Sequence, residues 1–421
     1  MNIKNFTPGD VKIYKVELIN NLKNTKIDIR PQVDHISIFE NIDTPTISCE
    51  IIVSDGINLW KNFPIVGEEY IEISFKTPFI EDFVVYNFRV FNITDKKEDP
   101  VSNISVYVLN CISEETTKAI TIGKINKAFQ KSHSDIVVEI LNNIVGTNKK
   151  IYTEKTKGVV TTIVPNLYPF QAIDFLKQQS ISNEVPFSSY KFYENQEGFH
   201  FRTLESLMYT KRDNTVGSKI FTYDNAATQS DPAKKAFGYR SIISINRNVV
   251  ADTFNNIGSG ALNNITKSFD IITKQTSSVV TNFKQTADQF IGTDKISTPF
   301  NTQGMFNEIN SLAKKAKTIF NMKDISERQE FAPENVGRKL SYNQLFNSVV
   351  IDIFVHGDSS LTVGDLVELD IIERKGTTDR SEKEQRLSGK FVVCGLRHLI
   401  GIGAAPQHRV AMRLQKMGLS I

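Results

Sequence analysis

Two stretches near opposite ends of the chain, VGEEYIEISF (residues 66–75) and VGDLVELDII (residues 363–372), share one pattern: Val-Gly, an acidic residue, then an alternating apolar run. Period-two alternation puts Ile71, Ile73 and Phe75 on one face and Glu72 and Ser74 on the other, so each run reads as a strand with one packed and one wet face. The segments downstream of the two runs also match in order. After the first run come YNFRVFNI, a polar connection and NISVYVLNCIS. After the second come a polar connection (ERKGTTDRSEKEQRLS), GKFVVCGLRHL, a loop and HRVAMRLQKM. The spacing from Phe88 to Val106 nearly equals that from Phe391 to Val410. Self-similarity of this extent predicts two copies of one β module rather than one large sheet. Three such chains around an axis would present six similar modules, a pseudo-sixfold ring with threefold symmetry.

A chain of 421 residues exceeds what one hydrophobic core usually serves. It divides into four parts. Residues 1–112 read as β: HISIFENI, TISCEIIVSD, YIEISFKT, VYNFRVFNITD and NISVYVLNCIS are short β-branched or aromatic runs separated by turn formers. Residues 113–205 are mixed. SHSDIVVEILNNIVG predicts a helix capped by Ser134 and ended by Gly146, YPFQAIDFLKQQSI one begun by Pro169, and SSYKFYENQEGFHF a hairpin turning at Gly198. Residues 251–330 read as a helical insertion, because Leu262, Ile265, Phe269, Ile272, Thr276, Val279 and Phe283 step by threes and fours. Phe306, Ile309, Leu312, Ala316 and Ile319 repeat that step, and KKAK around Lys314 reads as a solvated helix face. Residues 206–250 and 331–421 are β again, with SKIFTYDN and GYRSIISINRN expected to join the C-terminal sheet across the insertion. The expected fold class is mainly β with α+β parts: two β-barrel or sandwich modules, a mixed α/β intermediate domain and a helical insertion.

Composition excludes several functions. A formal net charge of +3 over this length marks neither a nucleic-acid nor an anionic-membrane binder. Cys49, Cys111 and Cys394 are an odd number without a CxxC pair and read as free thiols of a reducing cytoplasm. The N-terminus MNIKNFTPGD has no apolar signal core, and no run approaches a membrane span. His35, His133, His200, His356, His398 and His408 form no zinc spacing, and His398 and His408 are expected to face solvent at the ends of a loop. His356-Gly357-Asp358 reads as a strand end and turn rather than a catalytic group. GSGALNN (residues 258–264) is at most a linker, and neither a phosphate-binding loop nor a GxSxG elbow is present. A cell-wall glycosidase would need a paired carboxylic acid and carboxylate. Glu68 and Glu69, read as neighbours in a strand, would face opposite sides. Trp60 and Phe63 could form a sugar platform but are expected to pack a loop. No catalytic, cofactor-binding or metal-ligating residue is nominated, and no cofactor is expected.

FENIDTPTISCEIIVSDGINLWKNFPIVGEEYIEISF (residues 39–75), FYENQEGFHFRTLESL (residues 192–207) and VHGDSSLTVGDLVELDI with LSGKFVVCGLRHLI (within residues 355–400) resemble, in that order, the baseplate hub proteins of contractile-tailed phages. Among these the chain resembles the T4-like hub, and more distantly the late control D proteins and the hub portion of VgrG. The resemblance spares only about residues 251–330. It implies that the two β modules are tube-like domains and that the protein is a homotrimeric structural hub. The hub would join the hexameric tail tube to the trimeric central spike, with its lumen on the genome path. Implied partners are the tail tube protein, the central spike protein, the tape-measure C-terminus and other baseplate subunits, with neither specific nucleic-acid binding nor stable membrane insertion. The implied location is the virion tail, after synthesis in the host cytoplasm. The insertion is longer than the T4-like hub leads one to expect. With no needle after QKMGLSI, the spike is expected to be a separate polypeptide. Competing readings are a tail-tip peptidoglycan hydrolase and a receptor-binding tail protein.

Overall fold

Alternating runs become strands throughout, and the chain is mainly β. The computed structural model describes residues 7–20, 25–63, 65–78, 80–99, 104–183, 188–209, 219–224, 240–249, 255, 258–261, 263–270, 274–282, 315–321, 333–374, 381–384 and 387–416. Among these the largest element is a 14-stranded sheet. No helix among them is long and apolar enough to cross a membrane.

The first module contains β1 (Lys12–Asn20), β2 (Thr25–Asp28), β3 (Val33–Asn41), β4 (Ser48–Asp55), the short helix α1 (Leu59–Asn62), β5 (Tyr70–Lys76), β6 (Val84–Asp99) and β7 (Ile104–Ser113). Its spatial order is β3-β4-β7-β6-β5-β1-β2, with every neighbour antiparallel. Inward-facing Ile36, Ile38, Ile51, Val53, Ile71, Ile73 and Phe75 form part of one buried cluster.

The chain then enters α2 (Glu114–Ile122), β8 (Ile125–Lys131), α3 (His133–Glu139), β9 (Lys150–Thr153), β10 (Val160–Leu167), α4 (Pro169–Gln179), β11 (Tyr190–Asn195), β12 (Gly198–Thr203) and α5 (Leu204–Tyr209). Ser132, not Ser134, caps α3, its hydroxyl accepting from the Asp135 N–H at 3.2 Å. The helix widens into a π turn over Ile140–Val145 and ends at Gly146 in the left-handed region. Pro169 opens α4 as expected. Gly198 turns the β11–β12 hairpin at φ +141°, where a Cβ would lie 2.2 Å from the Lys150 carbonyl oxygen. A second buried cluster fills this part.

The last part contains β13 (Lys219–Asp224), β14 (Ile242–Val249), β15 (Asn263–Asp270), β16 (Thr276–Asn282), β17 (Lys315–Asn321), α6 (Pro333–Leu345), β18 (Val349–His356), β19 (Leu366–Arg374), β20 (Ser381–Lys383), β21 (Gly389–Gly401) and β22 (Gln407–Lys416). Strands β13 and β14 pair with β19 and β18, from the far side of the insertion. The spatial order β13-β19-β21-β22-β18-β14 reproduces the order β1-β5-β6-β7-β4-β3, and the two sets also follow the same chain order. Both copies carry a bulge at the same place on two strands. One lies between Val33 and His35 and again between Ile242 and Ser244; the other lies between Val90 and Asn92 and again between Val393 and Gly395. A bulge is a built feature with a fixed geometric effect, so shared positions are stronger than shared alternation. One pairing differs: β1 runs antiparallel to β5, whereas β13 runs parallel to β19.

The repeated phrase occupies equivalent places, shifted by one residue. Val90 N–H donates to the Glu69 carbonyl and Val393 N–H to the Asp365 carbonyl, each at 2.9 Å. The acidic residues therefore correspond, Ile71, Ile73 and Phe75 match Val367, Leu369 and Ile371, and Glu68 is the extra residue of the first turn. Both glycines have positive φ, +90° at Gly67 and +85° at Gly364.

The helical reading of residues 251–330 is corrected wherever the insertion is described beyond its first few residues. There β15, β16 and β17 form a three-stranded sheet. Ile265 and Phe269 fall on β15, Thr276 and Val279 on β16, and Ala316, Ile319 and the KKAK lysines Lys315 and Lys317 on β17. Leu262, Ile272, Phe283, Phe306, Ile309, Leu312 and Lys314 lie outside the described residues. The Thr-, Ser-, Asn- and Val-rich runs have poor helix and good strand propensity. The buried side of the sheet is polar: Asn264, Thr266 and Thr281 are buried. The Asn264 amide donates to the Gly337 carbonyl of α6 at 3.1 Å and to the Gly260 carbonyl at 3.2 Å. GSGALNN is therefore no linker, since Ala261 and Asn264 are both buried.

Gly67→Val and Gly364→Val should separate. A Cβ at Gly67 meets open space, leaving only backbone strain of roughly 1–2 kcal/mol. At Gly364 it would come 2.3 Å from the Tyr193 hydroxyl, adding about 1–3 kcal/mol of overpacking. Denaturant midpoints of the two variants should place Gly364→Val clearly lower, and equal midpoints would count against this packing.

Candidate functional site at the junction of the modules

The segment after β18, residues 357–365, is where all three parts of the chain meet. Toward the first module, Thr77 and Ser359 exchange two hydrogen bonds: Thr77 N–H to Ser359 Oγ at 3.1 Å and Ser359 N–H to Thr77 Oγ1 at 2.8 Å. Glu40 of β3 is buried, and both of its oxygens are used. One accepts from the Tyr86 hydroxyl at 3.0 Å, the other from the Thr362 hydroxyl at 2.7 Å and the Val363 N–H at 3.1 Å. Burial still pushes this carboxyl up to about 7, against those hydrogen bonds. Toward the middle part, the Asn195 amide donates to the Val363 carbonyl at 3.2 Å.

Beneath this segment lies a pair that the sequence reading misplaced. His398 and His408 are fully buried neighbours on β21 and β22, not solvent-facing loop ends. His398 Nδ1 and His408 Nε2 lie 3.0 Å apart, one ring donating to the other. The edge of Phe75 from the first module packs on both, at centroid distances of 5.9 and 5.4 Å. Gly357 makes room, since a Cβ there would stand 2.3 Å from the His408 ring. The backbone is pinned as well: Gly357 N–H donates to the His408 carbonyl at 2.9 Å and His408 N–H to the Gly9 carbonyl at 2.7 Å. His356-Gly357-Asp358 is thus the strand end and turn expected, and its glycine is required by contact with an imidazole.

A second polar knot ties the first module to the middle part. Lys149 reaches Glu115 at 2.6 Å and also bonds Glu194 and Ser113. The two carboxylates accept at all four oxygens: Glu115 from Thr147 and Lys149, and Glu194 from Lys149 and the Ile47 N–H, with the single proton of the Ser113 hydroxyl within reach of both. Burial raises Glu194, while Lys149 and Ser113 overcome burial at Glu115 and lower it. A glycosidase acid must turn an oxygen toward substrate. Here every carboxylate oxygen of the knot and of Glu40 is engaged by the protein itself.

The remaining sequence candidates are not brought together. His200 stacks between Tyr152 and Tyr193 at 4.8 and 5.0 Å. His133 lies buried near Thr162 and Ser180, His35 is on β3, and His356 ends β18. Glu68 and Glu69 lie in the turn before β5 rather than in a strand, and buried Glu69 folds back to accept from the N–H groups of Val66, Gly67 and Glu68. Phe63 is buried, and the Trp60 side chain lies outside the described residues. Cys49 and Cys111, distant in sequence, face each other across β4 and β7 as free buried thiols. Among the described residues no group of three or more His, Cys, Asp or Glu is arranged to hold a metal ion.

No family model matches this sequence, and no curated protein matches it. Solved structures do. The tail protein from Neisseria meningitidis MC58 superposes with a TM-score of 0.55 at 8% identity, over 96% of this chain and 97% of that one. The 43 kDa tail protein of prophage MuSo2 from Shewanella oneidensis gives 0.55 at 9% identity, over 97% and 98%. The chain shares its fold with these two tail proteins over nearly all of its length.

Two outcomes test the junction. Gly357→Ala should destabilise by about 1–3 kcal/mol in denaturant unfolding, because neither ring nor strand can retreat. Burial holds His398 down at about 4 and His408 well below its ordinary 6.5. The unfolded chain takes up these protons near pH 6.5 and the native one does not. The pair's stabilisation is therefore complete above pH 6.5 and falls as pH drops toward 4, by up to about 1.4 kcal/mol per pH unit per ring. Glu40, raised from 4.5 to about 7, acts in the opposite sense, its share being lost as pH rises through 7. The stability difference between wild type and His408→Gln isolates the pair. It should grow from pH 4 to 6.5 and then level off; a flat difference would contradict the buried neutral pair.

Proposed function

We propose that this protein is the structural hub of a contractile phage-tail baseplate, a homotrimer whose six β modules form a pseudo-sixfold ring. The observation that carries this reading is the repeated strand order with its two shared bulges. It lets three chains match a sixfold tube on one side and a threefold spike on the other. The fold shared with phage tail proteins supports a place in the tail. On this reading the chain divides into a tube-like domain at 1–112, an intermediate domain at 113–205, a second tube-like domain at 206–250 with 331–421, and an insertion at 251–330. Three buried clusters centred on the first three of these parts support that division, with Ile42, Tyr193, Leu204, Ala261 and Ile400 packing across its boundaries. The hexameric tail tube, the trimeric central spike, the tape-measure C-terminus and neighbouring baseplate subunits are the proposed partners, and the lumen forms part of the genome-delivery channel. Assembly takes place in the host cytoplasm, without membrane insertion or sequence-specific nucleic-acid binding.

The role is mechanical, with no catalytic residue, cofactor or metal. The fully engaged oxygens of Glu40, Glu115 and Glu194 support this against a peptidoglycan hydrolase, and buried Phe63 speaks against a sugar platform on a receptor-binding protein. Light scattering of the purified chain, alone and with a spike protein, should give a mass of three chains. A monomer that clears peptidoglycan, and loses that activity on substitution of one carboxylate, would replace this reading with the hydrolase.

A further inference from the structure

The internal repeat also contains its own model of an interface. Strand β21 is longer than its neighbour β19, which pairs only with Gly389 to Val392. The rest of that edge, Gly395 to Gly401, is filled by β3 of the other module. Strand β6 corresponds to β21: β5 pairs only as far as Arg89, and β6 continues to Asp99. Strand β14 corresponds to β3 and pairs with β18 on one side. Among the described residues no strand pairs with the outer edge of β6 beyond Arg89, and only the bridge Thr222–Ser241 flanks the outer side of β14. One module-to-module joint is therefore made within the chain, and among the described residues both halves of a second one are left over.

A second observation marks the same edge. Phe91 is the bulge residue of β6, and its counterpart in β21 is Cys394. Cys394 is buried, with its carbonyl accepting from the Ile42 N–H of the first module at 2.9 Å. Phe91 is 56% exposed. A large aromatic thus stands uncovered where its twin is covered by the neighbouring module. Unpaired ladder edges recruit strands, and continuing a joint already present in the chain specifies which strand and which direction.

We propose that copies of this chain join by antiparallel addition of β14 of one copy to the outer edge of β6, residues 91–99, in the next. The register follows from the intrachain joint. Ser37 faces Leu399 there. Ser37 corresponds to Asn246 through the shared bulge, and Leu399 to Lys97 through their partners Arg409 and Val106, past a further bulge of β6 between Thr94 and Lys97 that β21 lacks. Asn246 therefore faces Lys97 across the new joint. The contact is heterologous, so it builds a ring or a filament rather than a two-fold dimer. This inference rests on the ring reading above and adds the surface that closes it.

The full-length double variant Asn246→Cys/Lys97→Cys tests it. Both positions are exposed, and the three native thiols are buried and do not compete. Oxidation, or a short thiol–thiol crosslinker, should give covalent species up to three chains and none larger. Either single variant alone should give none, and a mixture of the two singles should stop at two chains. Asn246→Cys/Lys12→Cys should stay uncrosslinked. A protein that scatters as a trimer yet forms no such crosslink overturns this interface and leaves the trimer standing. A monomer without crosslinks overturns both, and crosslinks continuing past three chains keep the interface and overturn the threefold count.

Discussion

A strand has two edges, and a strand longer than its neighbour leaves part of an edge unsatisfied. In this molecule that geometric fact organises the rest. The surplus of β21 beyond β19 takes up β3, which fuses two modules into one 14-stranded sheet and fixes their register. With the ladder set, Glu40 is carried to the Thr362 hydroxyl, Phe75 onto the histidine rings, and Thr77 onto Ser359. The junction is therefore a consequence of strand lengths before it is a matter of side-chain chemistry.

The polar groups then narrow what the ladder permits. A slip by one residue would turn Glu40 out of the interior and an apolar neighbour in, leaving Thr362 and the Val363 N–H buried without an acceptor. The knot at Lys149 acts in the same way between the first module and the middle part. Such groups contribute less to net stability than their number suggests, because each had to leave water. Their effect is to make one arrangement much better than its near neighbours. It also accounts for carboxylates that look catalytic in a residue count and are saturated in space.

Much of this was legible in the sequence. Ile71, Ile73 and Phe75, with Val367, Leu369 and Ile371, announced matched strands, and the flanking order announced the repeat. The misplaced histidines, and two buried glutamates that the sequence reading passed over, were legible too, by the same rule carried one step further. His398 is in phase with Leu396 and Ile400, His408 with Val410 and Met412, Glu40 with Ile36 and Ile38, and Glu194 with Tyr190 and Phe192. A polar residue in phase with a buried apolar run is itself buried, and reading residue type ahead of phase hid this. The insertion failed for a different reason. Its strand β15 buries Asn264 and Thr266, so spacing of apolar residues carried no information about its inner face, and the three-and-four stepping was coincidental. Pairing across long separations, as between β13 and β19 or Cys49 and Cys111, depends on topology that no local pattern encodes.

The twinning stops at one rim. Where β1 lies antiparallel against β5 and carries β2 on its outer edge over Glu17–Asn20, β13 lies parallel against β19, so the matching rims of the two modules differ in main chain. A partner that met both rims would find two surfaces distinguishable by main chain alone, whatever side chains they carry. In a closed assembly of such chains, that difference in main chain at one rim would convert a sixfold track into a threefold one.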